Sequence, residues 1–205
     1  MKKKSTLYLV QMALLVAIIL LMAFTPIGYI KTAGLEITLI VVPVAVGAVL
    51  MGPAGGAILG GVFGITSFIQ CFGMSPFGNV LLGINPFLTF LVCVPTRILV
   101  GWLTGLIFAA MRKGKHTKGI SYYVANLACP LLNTLLFMST LCLGFYRTEF
   151  IQNLAGQMGT SNVLAFVAAF VGINGLVEAV VCFIVGSAIS RILAQVLRNT
   201  AAGEE

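Results

Sequence analysis

Long apolar runs broken by short polar or glycine-rich stretches organise this chain. Six runs stand out, over residues 7–24, 37–51, 54–71, 87–111, 122–145 and 163–193. Gly52-Pro53 makes the turn between the second and third. A helix needs about 20 predominantly apolar residues to cross a bilayer. The second run falls short of that, and it reads either as a short crossing or as a re-entrant hairpin.

Composition fits a chain immersed in lipid. Apolar residues make up 60% and charged residues 8% of the 205 residues, and mean hydropathy is +1.09. A soluble domain carries about 25% charged residues. Soluble enzymes, nucleic-acid binders and disordered chains are thereby excluded as the main reading. The expectation is a single all-α integral membrane domain over residues 1–205. The lysines at the N-terminus followed by an apolar run imitate a signal peptide. No clean small-residue cleavage site follows, so the run reads as a retained first span.

Charge placement decides the topology. The net charge is +7, and it is concentrated in three clusters. Lys2, Lys3 and Lys4 form one. Arg112, Lys113, Lys115 and Lys118 form the second, and Arg191 and Arg198 lie near the C-terminus. With six crossings all three fall on one side, as the positive-inside rule requires of cytoplasmic loops. A re-entrant second run would place the middle cluster opposite the first. Six transmembrane helices with both termini cytoplasmic are therefore expected, the short one tolerated through its neighbours or local thinning. No aromatic residues interleave with the basic ones, so no nucleic acid is expected as a partner.

The connections on the other side are longer: residues 25–36 (TPIGYIKTAGLE), 72–86 (FGMSPFGNVLLGINP) and 146–162 (YRTEFIQNLAGQMGTSN). They read as a lid over an outward-facing site, or else as ordinary solvated loops. Gly55, Gly56, Gly60, Gly61 and Gly64 fall along the third run, a spacing that lets membrane helices approach closely. No internal repeat of the kind found in many secondary transporters is visible. The scattered Cys71, Cys93, Cys129, Cys142 and Cys182 and the single His116 form no metal-ligand spacing, and no cofactor is expected.

Polar groups inside a span are expensive and need a reason. Arg97, just after Pro95, is the outstanding case. Glu178 in the last run carries the opposite charge. They read either as an ion pair that fixes packing or as a site where Arg97 receives an anionic ligand group. Arg97, Asn133 and Asn174 each lie at a depth on the order of 15–18 Å, at 1.5 Å per residue. Asn174 and Glu178 are a helical turn apart and share a face. A guanidinium, two amides and a carboxylate at one level suit a small ligand with a carboxylate plus amide or hydroxyl groups. Asn85, Gln70 and Tyr146 are further candidates nearer the surface. Gly114-Lys115 is followed by His116, so there is no phosphate-binding loop. No catalytic set is visible either.

Longer motifs carry a family resemblance. Ala13-Leu-Leu-Val-Ala17 puts two small residues on one face of the first span. Thr25-Pro-Ile-Gly-Tyr-Ile30, Leu35-Glu-Ile-Thr38, Met51-Gly-Pro-Ala-Gly-Gly56, Gly61-Val-Phe-Gly-Ile-Thr-Ser67 and Val94-Pro-Thr-Arg-Ile-Leu-Val-Gly101 extend the match over nearly the whole chain. Together they resemble the S components, the vitamin-binding membrane subunits, of prokaryotic energy-coupling factor (ECF) transporters, in their pantothenate-type branch. Thr96 departs from the expected pattern, in which proline directly precedes the arginine.

The resemblance implies a six-helix subunit of the cell membrane, with no enzymatic activity of its own. Such a subunit binds a vitamin near the outer face and docks on a membrane-embedded T component driven by two cytoplasmic ATPases. It further implies that Ala13 and Ala17 contact the T component. The loop around Tyr29 and Lys31 would act as a lid. A different vitamin, or a self-contained secondary transporter using Glu178 as its proton carrier, are the competing readings.

Overall fold

The computed structural model describes residues 2–25, 28–31, 36–114, 117–160 and 162–202. The elements in chain order are helix α1 (Lys2–Ala23), strands β1 (Tyr29–Lys31) and β2 (Glu36–Thr38), and helices α2 (Val41–Gln70), α3 (Pro76–Ile84), α4 (Pro86–Lys113), α5 (Ser121–Phe145), α6 (Glu149–Gln157), α7 (Val163–Val181) and α8 (Ser187–Ala202). A π-helical turn, Cys182–Gly186, joins α7 to α8. Among the described residues five helical stretches are long and apolar enough to cross a membrane: Thr6–Ala23, Val41–Gln70, Pro86–Lys113, Ser121–Phe145 and Asn174–Leu197.

One of those five is not straight. Gly52, inside α2, has φ 76° and ψ −168°, a backbone conformation that favours glycine. A Cβ on Gly47 would collide with the Leu59 side chain, and one on Gly56 would lie 2.8 Å from the Ala48 Cβ. Residues 47 and 59 would stand about 18 Å apart along an unbroken helix. The two arms of α2 therefore fold back on each other as a hairpin. The turn lies where Gly52-Pro53 marks it in the sequence, with Pro53 opening the second arm.

The first arm is short because it starts inside the bundle. Residues 36–38 form β2, which pairs antiparallel with β1 (Tyr29 opposite Thr38), and the helix begins only at Val41. Ile40 and Val41 are buried, and the Cys129 thiol of α5 approaches the Val41 carbonyl at 3.9 Å. The chain has thus already descended into the interior before it turns helical.

The second arm packs against α4 through small residues. A Cβ on Gly56 would strike the Gly101 carbonyl, one on Gly60 the Arg97 carbonyl, and one on Gly64 would lie 2.8 Å from the Val94 Cα. Gly105 answers from α4 by meeting Pro53. Close backbone approach of this kind holds membrane helices together where lipid removes the hydrophobic drive. Leu15, Ile19, Val44, Leu59 and Phe63 fill one buried cluster beneath it. Leu141, Phe145, Ile151 and Phe166 fill another. Around the outside, large apolar side chains stay uncovered, Leu143 at 90% and Leu164 at 82%. That is the surface expected of a helix bundle solvated by lipid tails.

Helices α3 and α6 lie within two of the connections read as loops. Ser75 caps α3 by accepting from the Gly78 N–H at 3.4 Å. The two short helices meet where the Phe77 and Phe150 rings lie 5.9 Å apart. With the β-hairpin they close one end of the bundle. Arg112, Lys113, Lys118 and Arg191 belong to the opposite, basic end.

Candidate binding site

Arg97 is placed by helix α4 and only 7% exposed. Its Nη1 donates to the carbonyl of Val92 and, at 3.2 Å, to the Thr96 hydroxyl. The Thr96 hydroxyl itself donates to the same Val92 carbonyl. The guanidinium lies over two rings, 5.4 Å from the Phe63 ring centre and 4.8 Å from that of Phe137. Such contacts favour a cation once water is excluded. Its Nε has no partner. A buried guanidinium with donor capacity left over is costly unless something accepts from it.

Asn133 of α5 faces the same space, 7% exposed and with its Oδ1 unpartnered. Phe137 follows one turn later on the same face. From α7 come Asn174 and Glu178. The Glu178 carboxylate accepts from the backbone N–H of Thr38 at 2.6 Å and also bonds the Asn133 side chain. These groups border a cavity of about 60 Å³, lined by Thr38, Arg97, Asn133, Phe137, Asn174 and Glu178 among others. Among the described residues Arg97 and Glu178 share the cavity but form no ion pair. The guanidinium bonds its own helix instead.

Four of the residues read from the sequence are thus brought together: Arg97, Asn133, Asn174 and Glu178. Three others lie outside the described lining of that cavity. The Gln70 amide donates to the Ala23 carbonyl at 2.6 Å and ties α2 to the end of α1. Asn85 caps α4 by accepting from the Leu88 N–H at 3.1 Å. Tyr146 packs its ring 6.1 Å from Phe166. Tyr29 contributes its backbone to β1, and its side chain lies outside the described residues. Ala13 and Ala17 are exposed on α1, opposite the buried Leu15 and Ile19.

Sequence reasoning missed Thr38, Thr134 and Phe137, which line the cavity, and Phe63, whose ring lies against the guanidinium. Phe137 had a signal, being one turn from Asn133. Thr38 had none, because nothing in the residues reveals that the loop dips into the core.

Arg97, Asn133, Asn174 and Glu178 thus gather around one buried cavity inside a bundle of apolar helices. Comparison with known proteins gives the class. Residues 7–190 match the family of ECF transporter substrate-specific components, and the chain belongs to that family. It is a multi-pass membrane transport protein. It is also similar to the pantothenate transporter PanT of Leuconostoc mesenteroides subsp. mesenteroides, with 31% identity covering 94% of this chain and 95% of that one.

Proposed function

We propose that this protein is the substrate-specific component for pantothenate uptake. The observation that carries the reading is Arg97, buried against two phenylalanine rings, with donor capacity unused and lining a cavity with Asn133, Asn174 and Glu178. Pantothenate offers a carboxylate, an amide and two hydroxyls. Arg97 receives the carboxylate, the two asparagines meet the amide and a hydroxyl, and Glu178 accepts from a hydroxyl. The similarity to a pantothenate transporter supports the choice of vitamin.

Ligand pockets are commonly about 300–1,000 Å³, so a cavity of about 60 Å³ fits a closed state. Release of Thr38 from Glu178 opens it, with strands β1 and β2 as the lid. The two arms of α2 count as two crossings, which gives six in all. Both termini and the basic connection then share the cytoplasmic side, as the positive-inside rule favours. Energy comes from a T component and two cytoplasmic ATPases, with Ala13 and Ala17 on the exposed face of α1 as the docking stripe.

The test is a binding titration of the purified protein against pantothenate and a panel of other water-soluble vitamins. One-to-one binding of pantothenate alone is expected. Selective binding of another vitamin overturns the substrate, and no binding across the panel overturns the site.

A further inference from the structure

At the basic end of the bundle, α4, α5 and α8 enclose a second, open cavity of about 510 Å³, lined by Arg112, Tyr122, Arg191, Ala194 and Gln195. It is separate from the site around Arg97 and shares no lining residue with it. Two guanidiniums reach it from different helices, and each is braced by an aromatic ring. Arg112 lies 5.6 Å from the Phe108 ring centre and Arg191 5.4 Å from that of Tyr123. Arg191 spends one donor on the Tyr123 hydroxyl. Arg112 has no hydrogen-bond partner among the described residues. Among the described residues no carboxylate lines the cavity. Two guanidiniums held in this way, with N–H groups left over among the described residues, form a receptor for a phosphate-type oxyanion.

The surroundings say where that anion comes from. On α8, Arg191, Ala194 and Gln195 share one face, spaced three and four residues apart. Beside them Ile192 is 61% and Val196 53% exposed, and Ile120, just before α5, is 56% exposed. Tyr122 and Tyr123 stand at the same level, as aromatic residues do at a membrane–water boundary. A charged receptor bordered by uncovered aliphatic side chains matches a molecule with an anionic head and apolar tails. We infer that this cavity binds the phosphate headgroup of an anionic glycerophospholipid, with the acyl chains lying along Ile120, Ile192 and Val196. An acidic segment of a partner protein would satisfy the arginines but leave these aliphatic side chains unused. Basic pockets between membrane helices at the membrane surface serve this role generally.

Native mass spectrometry of the detergent-purified protein tests this, using phosphatidylglycerol, phosphatidylcholine and inorganic phosphate as probes. One phosphatidylglycerol is expected to be retained, in clear preference to phosphatidylcholine. Arg112→Gln should weaken retention about fivefold, and Arg112→Gln with Arg191→Gln more than tenfold, as expected when arginines near an anionic headgroup are removed. Arg112→Gln breaks no described hydrogen bond, so it reports on binding even if the double variant misfolds, which gel filtration and circular dichroism detect. Equal retention of phosphatidylcholine, or unchanged retention in Arg112→Gln, overturns the inference. Displacement of the lipid by equimolar inorganic phosphate assigns the site to a free anion instead. Displacement by purified ATPase subunits assigns it to a protein partner. None of these outcomes depends on which vitamin occupies the other site.

Discussion

The backbone N–H of Thr38 donates to the Glu178 carboxylate at 2.6 Å, joining residues 140 positions apart. This bond fixes the end of β2 to the last turn of α7, just before α2 begins. Removing one partner of a buried hydrogen bond costs about 1–3 kcal/mol. Glu178→Ala is therefore expected to lower stability by about that amount and to speed hydrogen exchange at the Thr38 amide. Thermal unfolding and exchange mass spectrometry read the two effects. Unchanged exchange at Thr38 would count against the clamp.

Gly60 and Gly61 are neighbours with opposite surroundings. A Cβ on Gly60 meets the Arg97 carbonyl, whereas one on Gly61 comes no nearer than 3.6 Å to the Ile98 side chain. Gly60→Ala should push α4 outward at Arg97. The expected cost is about 1–3 kcal/mol, as for overpacked cores, with ligand affinity falling alongside. Gly61→Ala should be close to neutral. Thermal melts of both variants, with and without ligand, check the contrast, and equal effects would show that backbone contact does not position Arg97.

Arg97→Lys keeps the charge but loses the flat surface that lies against Phe63 and Phe137. Arginine and lysine are not interchangeable at a stacked site. Affinity is expected to fall in Arg97→Lys, though less than in Arg97→Ala. Phe137→Leu should weaken binding by several-fold, because a cation–π contact is worth about 0.5–2 kcal/mol. Titration of the three variants gives the ranking. A fully active Arg97→Lys would mean that charge alone matters.

Ala13 and Ala17 face outward from α1, so bulk added there enlarges no buried side chain. Ala13→Trp and Ala17→Trp should leave vitamin binding intact. If this face docks on the T component, both should impair assembly with the energising subunits, because small residues allow close helix approach. Pull-down of the reconstituted complex measures the second effect. Assembly at native levels would move the docking surface elsewhere.

Much of this architecture was legible because its causes are local. Apolar runs mark the helices, and Gly52-Pro53 marks the hairpin turn, since few residues other than glycine adopt φ 76°. The glycines at 56, 60 and 64 announce a close helix contact. Arg97, Asn133, Asn174 and Glu178 were legible because a polar group in an apolar run is costly and asks for a partner. What stayed hidden depends on the path of the chain. Residues 37–40 look like part of a membrane helix but form a strand and turn that dip into the bundle. Gln70 and Asn85 stand out in the sequence as polar groups, and in the structure they bond the Ala23 carbonyl and the Leu88 N–H. Asn85 directly before Pro86 carries the signature of a helix cap, whereas the open Ala23 carbonyl has none in the residues themselves. Phe63 entered the site only because the hairpin brings its arm beside α4.

The central claim is that Arg97 receives the carboxylate of the vitamin. It is tested most directly by titrating the native protein and Arg97→Ala with pantothenate and with its alcohol analogue, in which a hydroxymethyl group replaces the carboxylate. The native protein should prefer pantothenate by about 2–5 kcal/mol, the range for truncating one partner of a buried charge pair, and Arg97→Ala should lose that preference. An undiminished preference in Arg97→Ala would contradict the account and place the carboxylate elsewhere.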